Sequence, residues 1–244
     1  MVTTLYLVRH GETEGSETKR YKGSIDVPLS EKGIVQVKGS SAFIRGYLRN
    51  ASSSKDMSYL KDIHTTSDDS AEARKGKKHE STSELPNLRT SSLQAVYTSN
   101  LSRAVRSAEI IAAEHGLKAV ETPDLRERSF GIWEGMTFSE IKEQYPEEFG
   151  AWADNPLRYS PIKGESTIKV KDRTIPSLTK ILNNHEGENI AVVAHGGVNR
   201  IILCHFLGIP LENIFRIEQD YAAVNIIELW DKYPVIKLIN GGHG

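Results

Sequence analysis

Short apolar runs alternate with longer amphipathic stretches along the chain. The apolar runs are aliphatic or β-branched and too short for helices, which predicts strands, most of them buried in a sheet. They lie at residues 3–8, 93–98, 118–121, 189–194, 222–230 and 235–239. The last two flank the turn sequence DKYP, so they should add an antiparallel pair at one edge of the sheet.

Amphipathic stretches between these strands predict helices. They lie at residues 30–48, 99–116, 138–145, 146–153, 166–182 and 198–207. Ser30 offers an N-cap oxygen to the first helix, and Ser99 or Asn100 offers one to the second. Because strands and helices alternate through the body of the chain, the pattern predicts an α/β fold with a mainly parallel sheet.

One segment interrupts the alternation. Residues 50–92 are dominated by Ser, Thr, Lys, Asp and Glu and contain few large apolar side chains. Such a composition buries too little apolar surface to offset the entropy lost on ordering. We therefore predict a single domain over residues 1–244 that carries a low-complexity, flexible insertion. A tolerated surface loop is favoured over a regulatory or partner-binding arm.

Composition narrows the class of protein further. The formal net charge of −1 gives no reason to expect a nucleic acid or an anionic membrane as a partner. No apolar run approaches the roughly 20 residues of a membrane span, and the N-terminus lacks the layout of a signal peptide. Cys204 is the only cysteine, which excludes an internal disulfide and suits a reducing compartment. We expect a cytoplasmic protein.

Two predicted strands end in the same way. LVRHG at 7–11 and VVAHGG at 192–197 both run directly into a histidine followed by glycine. Because parallel strands end at one edge of a sheet, His10 and His195 should face each other across one crevice. The strand at 93–98 leads into a helix whose first turn carries Arg103 toward the same edge. Arg9 completes the predicted cluster.

These side chains favour a phosphate as ligand. Two guanidinium groups offer forked donors that match phosphate oxygens, and two imidazoles add donors or a nucleophile. Helix N-termini after Ser99 and Gly196 add backbone N–H groups. The remaining histidines show no spacing typical of metal ligands, so we predict no metal site; they are His64, His79, His115, His185, His205 and His243.

Four motifs together identify a family. LVRHGET, YTSNLSRA, LRERSFGIWEG and AHGG, in this order, resemble the histidine phosphatase superfamily, also called phosphoglycerate-mutase-like. The resemblance covers nearly the whole chain apart from the Ser-rich insertion. It implies a three-layer α/β/α sandwich with a mainly parallel central sheet and a small helical cap at about 135–166.

The resemblance also implies roles for individual residues. His10 would be the nucleophile that accepts the phosphoryl group, and Glu127 would be the general acid that protonates the leaving oxygen and later activates water. Phosphate-binding positions would be Arg9, Ser16, Arg103, His195 and Gly196. Family members of this kind use no metal or other cofactor.

Other carboxylates compete with Glu127 for its role, and the role of Ser16 stays open. Glu134 and Glu12 lie near enough in sequence to compete with Glu127, although Glu12 fits a role in orienting its loop better. Ser16 stands where mutases of the superfamily usually carry Asn, which leaves its contact with phosphate open.

Three functions fit the motifs. The first is a metal-independent phosphomonoesterase acting on a small metabolite, such as alpha-ribazole phosphate, a sugar phosphate, 3-phosphoglycerate or a nucleotide. The second is a cofactor-dependent phosphoglycerate mutase, and the third is a catalytically idle phosphate-binding scaffold. The compact segment at 135–166 resembles the phosphatase branch, including its alpha-ribazole-phosphatase-like members, and mutases carry a longer insertion there.

The leaving-group contacts and the oligomeric state stay open. Arg158, Tyr159 and Lys163 are candidates for touching the leaving group, and Trp133 and Trp152 fit either core packing or the mouth of the pocket. The sequence does not distinguish a monomer from a homodimer.

Overall fold

A mixed sheet organises the protein, whose computed structural model describes residues 1–53 and 91–242. Within these residues the strands are β1 (Thr3–Arg9), β2 (Ala95–Thr98), β3 (Ala119–Glu121), β4 (Asn189–Ala194), β5 (Val224–Leu229) and β6 (Pro234–Gly241). They lie in the order β3-β2-β4-β1-β5-β6. The first four are parallel, and β5 and β6 continue the sheet in antiparallel pairs. The prediction of a mainly parallel sheet with an antiparallel edge is confirmed.

The described helices lie close to their predicted positions. They are α1 (Glu31–Ser53), α2 (Ser102–Ala113), α3 (Phe138–Gln144), α4 (Pro146–Asp154), α5 (Thr167–Asn183) and α6 (Gly196–Leu207). Helix α1 continues to Ser53, past the predicted start of the insertion. Residues 54–90 of the predicted flexible insertion lie outside the described residues, as do His64, His79 and His243. No helix in the described ranges is both long and apolar enough to cross a membrane.

The sheet is covered by helices on both faces. Leu5 and Leu7 of β1 pack in a cluster with side chains of α5 and α6. Tyr6 and Val8, which alternate with them, pack in a second cluster with side chains of α1 and α2. Burial on both faces explains why the central strands are continuous apolar runs. The predicted three-layer α/β/α architecture is confirmed.

The N-terminus of α2 corrects one prediction. Neither Ser99 nor Asn100 caps this helix; Leu101 occupies the N-cap position and offers no side-chain oxygen. Instead Asp26, from the loop between β1 and α1, accepts hydrogen bonds from the backbone N–H and the hydroxyl of Ser102, both at 2.8 Å. A cap supplied by a distant loop leaves no local signal in the sequence.

Candidate active site

Strand register brings the two predicted histidines together. Neighbouring strands β1 and β4 pair Arg9 with Ala194, so the next residues along each strand are His10 and His195. The N–H of His10 donates to the carbonyl of Ala194 at 3.0 Å, and the two ring centroids lie 5.1 Å apart. Both side chains are buried. The two histidines therefore share one site at the carboxyl edge of the sheet, as predicted.

The hydrogen bonding of His10 fixes its tautomer. Nδ1 lies 2.7 Å from the carbonyl oxygen of Gly11. A carbonyl only accepts, so Nδ1 must carry a proton, and the neutral ring has its lone pair on Nε2. Burial, together with the charges of Arg9 and Arg103, holds the pKa of His10 well below its ordinary value. His10 is thus a neutral imidazole near pH 7.

The ring of His195 is oriented by Ser99. The hydroxyl of Ser99 lies 2.7 Å from Nε2 and accepts from the N–H of Leu101 at 3.4 Å, which leaves the hydroxyl proton to donate to Nε2. With Nε2 as the acceptor, the single proton of the neutral ring lies on Nδ1. Among the described residues Nδ1 is buried without a hydrogen-bond partner. Buried polar atoms normally have a hydrogen-bond partner, and an oxygen of a bound ligand would provide one for Nδ1.

Arg9 contributes a second buried, unpaired donor. Its Nη1 donates to the carbonyl of Gln219 at 2.6 Å, and its guanidinium lies over the ring of Tyr221, 3.9 Å from the centroid. Its Nε has no hydrogen-bond partner among the described residues. A Cβ at Gly196 would lie 3.3 Å from this Nε, so the glycine lets the start of α6 approach the guanidinium closely.

Arg103 is buried beside the same pair of histidines. Its Nη1 and Nη2 donate to the carbonyls of Ile25 and Gly23 at 2.8 and 2.7 Å. The loop that caps α2 therefore also fixes the orientation of this guanidinium. Both Arg9 and Arg103 lower the pKa of His195, after the larger effects of its own burial and of His10.

Lys22 is a further cation that the sequence motifs did not single out. Its ammonium group bonds Thr13 Oγ1 at 3.2 Å and also the carbonyl of Glu14. It contributes to the low pKa of His10, which places it near enough to affect the site electrostatically. The sequence signal that could have identified Lys22 is its position in YKGSIDVPL, directly before Gly23.

Glu127 lies where the start of α6 meets the loop after β3. Its Oε2 accepts from the N–H of Gly197 at 3.0 Å, and its Oε1 accepts from the N–H of Arg128 at 2.9 Å. A Cβ at position 197 would lie 2.5 Å from Oε1 of this carboxylate. A side chain at position 197 would therefore push the carboxylate of Glu127 away from its present position.

The two competing carboxylates are engaged elsewhere. Oε1 of Glu134 accepts from the N–H and hydroxyl of Ser24 and from the N–H of Phe130, at 2.9, 2.5 and 3.0 Å. Oε2 of Glu12 pairs with Lys32 at 2.8 Å. These contacts hold loops together, which leaves Glu127 as the carboxylate available for chemistry.

Ser16 stands apart from the other predicted residues. It begins a single 3-10 turn at Ser16–Thr18 and is half-buried. Its backbone N–H donates to the carbonyl of Thr13 at 3.2 Å. No hydrogen bond joins its side chain to the rest of the cluster among the described residues, so its phosphate contact stays a prediction.

A pocket of about 230 Å³ adjoins this cluster and reaches the region predicted to be a cap. Arg9, Glu127, Gly196 and Gly197 form part of its lining, together with Trp133 and Trp152. Arg158, Tyr159 and Lys163, the predicted candidates, do not line it. Sequence reasoning did not single out the other aromatic side chains that do, which are Tyr21, Phe130, Phe138, Phe149 and Phe215.

The chemistry available at this site is defined by its groups. Among the described residues, one neutral imidazole has a free lone pair, two buried donors lack partners, guanidinium groups supply positive charge, and one carboxylate lies beside them. Across residues 1–53 and 91–242, no group of three or more His, Cys, Asp or Glu side chains is arranged to hold a metal ion. Such a set matches the charge and shape of a phosphoryl group.

Comparisons with known proteins agree with this reading. The sequence model of the histidine phosphatase superfamily (branch 1) matches residues 5–58 and 79–241. The chain is 26% identical over 236 residues to phosphoserine phosphatase 1 of Hydrogenobacter thermophilus, covering 97% of this chain and 91% of the relative. It is 31% identical over 245 residues to the metal-independent phosphoserine phosphatase of Arabidopsis thaliana, covering 96% and 80%.

A solved structure extends the likeness to three dimensions. YhfR of Bacillus stearothermophilus superposes with a TM-score of 0.70 at 27% identity, over 97% of this chain and 96% of that one. The sequence match spans β1 to β6 and includes every motif of the site. The chain therefore belongs to the histidine phosphatase superfamily, branch 1.

Proposed function

We propose that the protein is a metal-independent phosphomonoesterase that hydrolyses a small phosphorylated metabolite through a phosphohistidine. The observation that carries this proposal is the bond from Nδ1 of His10 to the carbonyl of Gly11, because it presents Nε2 as a nucleophile. Membership of the superfamily supports the reaction class.

In the first step Nε2 of His10 attacks phosphorus. A bond forms between Nε2 and phosphorus, and the bond from phosphorus to the leaving oxygen breaks. The depressed pKa of His10 keeps the lone pair free for this attack. Arg9 Nε and His195 Nδ1, both buried and unpaired, would donate to the phosphoryl oxygens, and Arg103 adds positive charge beside them.

Glu127 would move the protons. Its carboxyl proton passes to the leaving oxygen, so an alcohol departs and the carboxylate remains. A water molecule then attacks the phosphohistidine and gives a proton back to this carboxylate, which releases phosphate and restores Nε2 of His10. Gly197 and Arg128 hold the carboxylate at the site through their backbone N–H groups.

The two alternatives have less support. A mutase needs a second anion-binding cluster on the cap side, where Arg128 is already bonded to Glu165, Thr167 and Tyr159. An idle scaffold gives no reason for a neutral, oriented imidazole and a carboxylate held by two backbone N–H groups in the same cluster. Serine phosphate, named for two relatives, and alpha-ribazole phosphate are candidate substrates.

The test is turnover and phosphoenzyme formation in excess EDTA. With p-nitrophenyl phosphate, the natural chain should release phosphate and accumulate an acid-labile, alkali-stable phosphoenzyme, and His10→Ala should lose both. His205→Ala changes an exposed histidine of α6 outside the cluster and should retain both. Turnover by His10→Ala would mean that another group is the nucleophile. Interconversion of 3- and 2-phosphoglycerate on addition of the bisphosphate, without hydrolysis, would instead identify a mutase.

A further inference from the structure

The pocket beside the phosphoryl site has predominantly apolar walls. Aromatic side chains come from the loop before α3 and from α3, α4 and the segment after α6. Four of them form one cluster, in which Phe138 contacts Phe149 with centroids 4.9 Å apart, Phe149 contacts Trp152 at 5.7 Å and Trp152 contacts Trp133 at 6.4 Å. Ile141, Val170, Ile201 and Ile214 complete the apolar lining.

Some of this apolar surface is left open to solvent. Phe138 and Phe215 line the pocket and are 48% and 67% exposed. Exposed aromatic side chains gathered at the rim of a pocket are typical of ligand sites. Each exposed ring forgoes the favourable free energy gained when apolar surface is removed from water. A ligand with apolar surface would recover that gain.

The charged side chains that line the pocket are partly engaged by other segments of the chain. Arg128 uses Nε, Nη1 and Nη2 on Glu165, Thr167 and Tyr159. Arg200 donates from Nε to the carbonyl of Ile217 at 2.6 Å, while its Nη1 and Nη2 have no hydrogen-bond partner among the described residues. Among the lining residues the sole carboxylate is Glu127, to which the reaction itself is assigned. The described part of the pocket lining therefore provides no spare carboxylate to receive the ammonium group of an amino acid.

The pocket is continuous with the phosphoryl site. Arg9, Glu127, Gly196 and Gly197 belong to both, and Glu127 is the group that must reach the leaving oxygen. Whatever alcohol departs from phosphorus therefore lies against the aromatic walls.

We propose that the preferred substrates are phosphomonoesters of apolar, ring-sized alcohols, and that the aromatic walls bind the departing group. This inference rests on the proposed function and specifies its substrate class. Serine phosphate, the substrate named for two relatives, should be a poor substrate here.

The test compares alkyl phosphates whose leaving alcohols have similar intrinsic reactivity. Ethyl, hexyl and 2-phenylethyl phosphate are measured with serine phosphate in excess EDTA. Because one methylene in an apolar pocket changes kcat/KM by about 10- to 200-fold, 2-phenylethyl phosphate should exceed ethyl phosphate by roughly 100-fold or more. Serine phosphate hydrolysed as fast as 2-phenylethyl phosphate would overturn the inference and leave the proposed function standing. Hydrolysis of p-nitrophenyl phosphate but of none of these four esters would also overturn the inference and leave the proposed function standing, whereas failure on p-nitrophenyl phosphate as well would overturn both.

Substitutions at the rim of the pocket test whether the aromatic walls cause the preference for apolar leaving groups. Phe215→Ala and Phe138→Ala each change an exposed side chain, so folding should be preserved. Each should reduce the ratio of kcat/KM between 2-phenylethyl and ethyl phosphate by about tenfold, the effect of roughly one methylene. Val35→Ala, at 65% exposure on α1 and outside the pocket, should leave the ratio unchanged. A ratio that stays constant in both rim variants would contradict the inference.

Discussion

Two carboxylates seven residues apart in the chain differ in what surrounds them. Oε1 of Glu134 receives three hydrogen bonds from Ser24 and Phe130. Each oxygen of Glu127 receives one backbone N–H, from Gly197 and Arg128, and its side chain borders the pocket. The sequence alone left both as candidates for the acid, and their contacts separate them.

Glu127→Gln should affect substrates according to their leaving groups. An amide cannot donate the proton that an alkoxide needs, so kcat with an alkyl phosphate should fall about 100- to 10,000-fold. The loss with p-nitrophenyl phosphate should be much smaller, since nitrophenolate departs without a proton. Steady-state rates with both substrates measure the difference.

Glu134→Gln is the matched control. It removes charge from a loop junction, so it should lower the midpoint of thermal unfolding and change both rates by the same factor. Equal losses with the two substrates in Glu127→Gln would refute its role as the acid.

Among the elements, the loop before α1 does two things at once. Asp26 caps α2 through Ser102, and the carbonyls of Gly23 and Ile25 hold the guanidinium of Arg103. The stability of α2 and the position of the Arg103 guanidinium are therefore coupled through one short segment.

Asp26→Ala should expose this coupling. Loss of the cap should reduce the free energy of unfolding by about 0.5–2 kcal/mol, and the inhibition constant for inorganic phosphate should rise because Arg103 loses part of its support. Asp26→Asn keeps a capping oxygen and should lose less of both. Urea unfolding and phosphate inhibition are the measurements. An unchanged unfolding midpoint in Asp26→Ala would mean that the cap is replaced by solvent at no cost.

The same elements show which features could be predicted from the sequence. Apolar runs that end in His-Gly mark β1 and β4, and because the strand edge is shared, His10 and His195 could be paired in advance. The hydrogen bonds of Asp26 with Ser102 and of Glu134 with Ser24 join residues that are 76 and 110 positions apart in the chain. Local sequence patterns do not encode such contacts. Phe138 and Phe149 looked like ordinary apolar positions of short helices, and only the packing of α3 against α4 shows that they line the pocket.

For the whole molecule, buried histidines link stability to pH. Burial and neighbouring cations depress the pKa of His10 and His195, and burial depresses those of His115 and His205. The unfolded chain therefore binds more protons than the folded one below about pH 6.5. The stability associated with these neutral rings is complete above that pH and is lost as pH falls through the folded pKa values.

The free energy of unfolding should accordingly fall between pH 7 and 5, by up to about 1.4 kcal/mol per pH unit for each group that titrates. Urea unfolding at half-unit steps measures the slope. His10→Gln removes one of the groups and should flatten it. A free energy that stays constant from pH 7 to 5 would show that these rings are not kept neutral by the fold.

The position of β1 in the sheet has a consequence for how the chain is made. Its two partners are β4 and β5, and the residues paired with Val8 are Val193 and Val224. During synthesis β1 thus leaves the ribosome well before β4 and β5, and both of its edges stay unpaired until those strands have been made. Pairing over such separations is slow because the intervening loop must close first. An unpaired apolar strand is also open to aggregation, so β1 is the segment of a nascent chain that a chaperone would have most reason to cover.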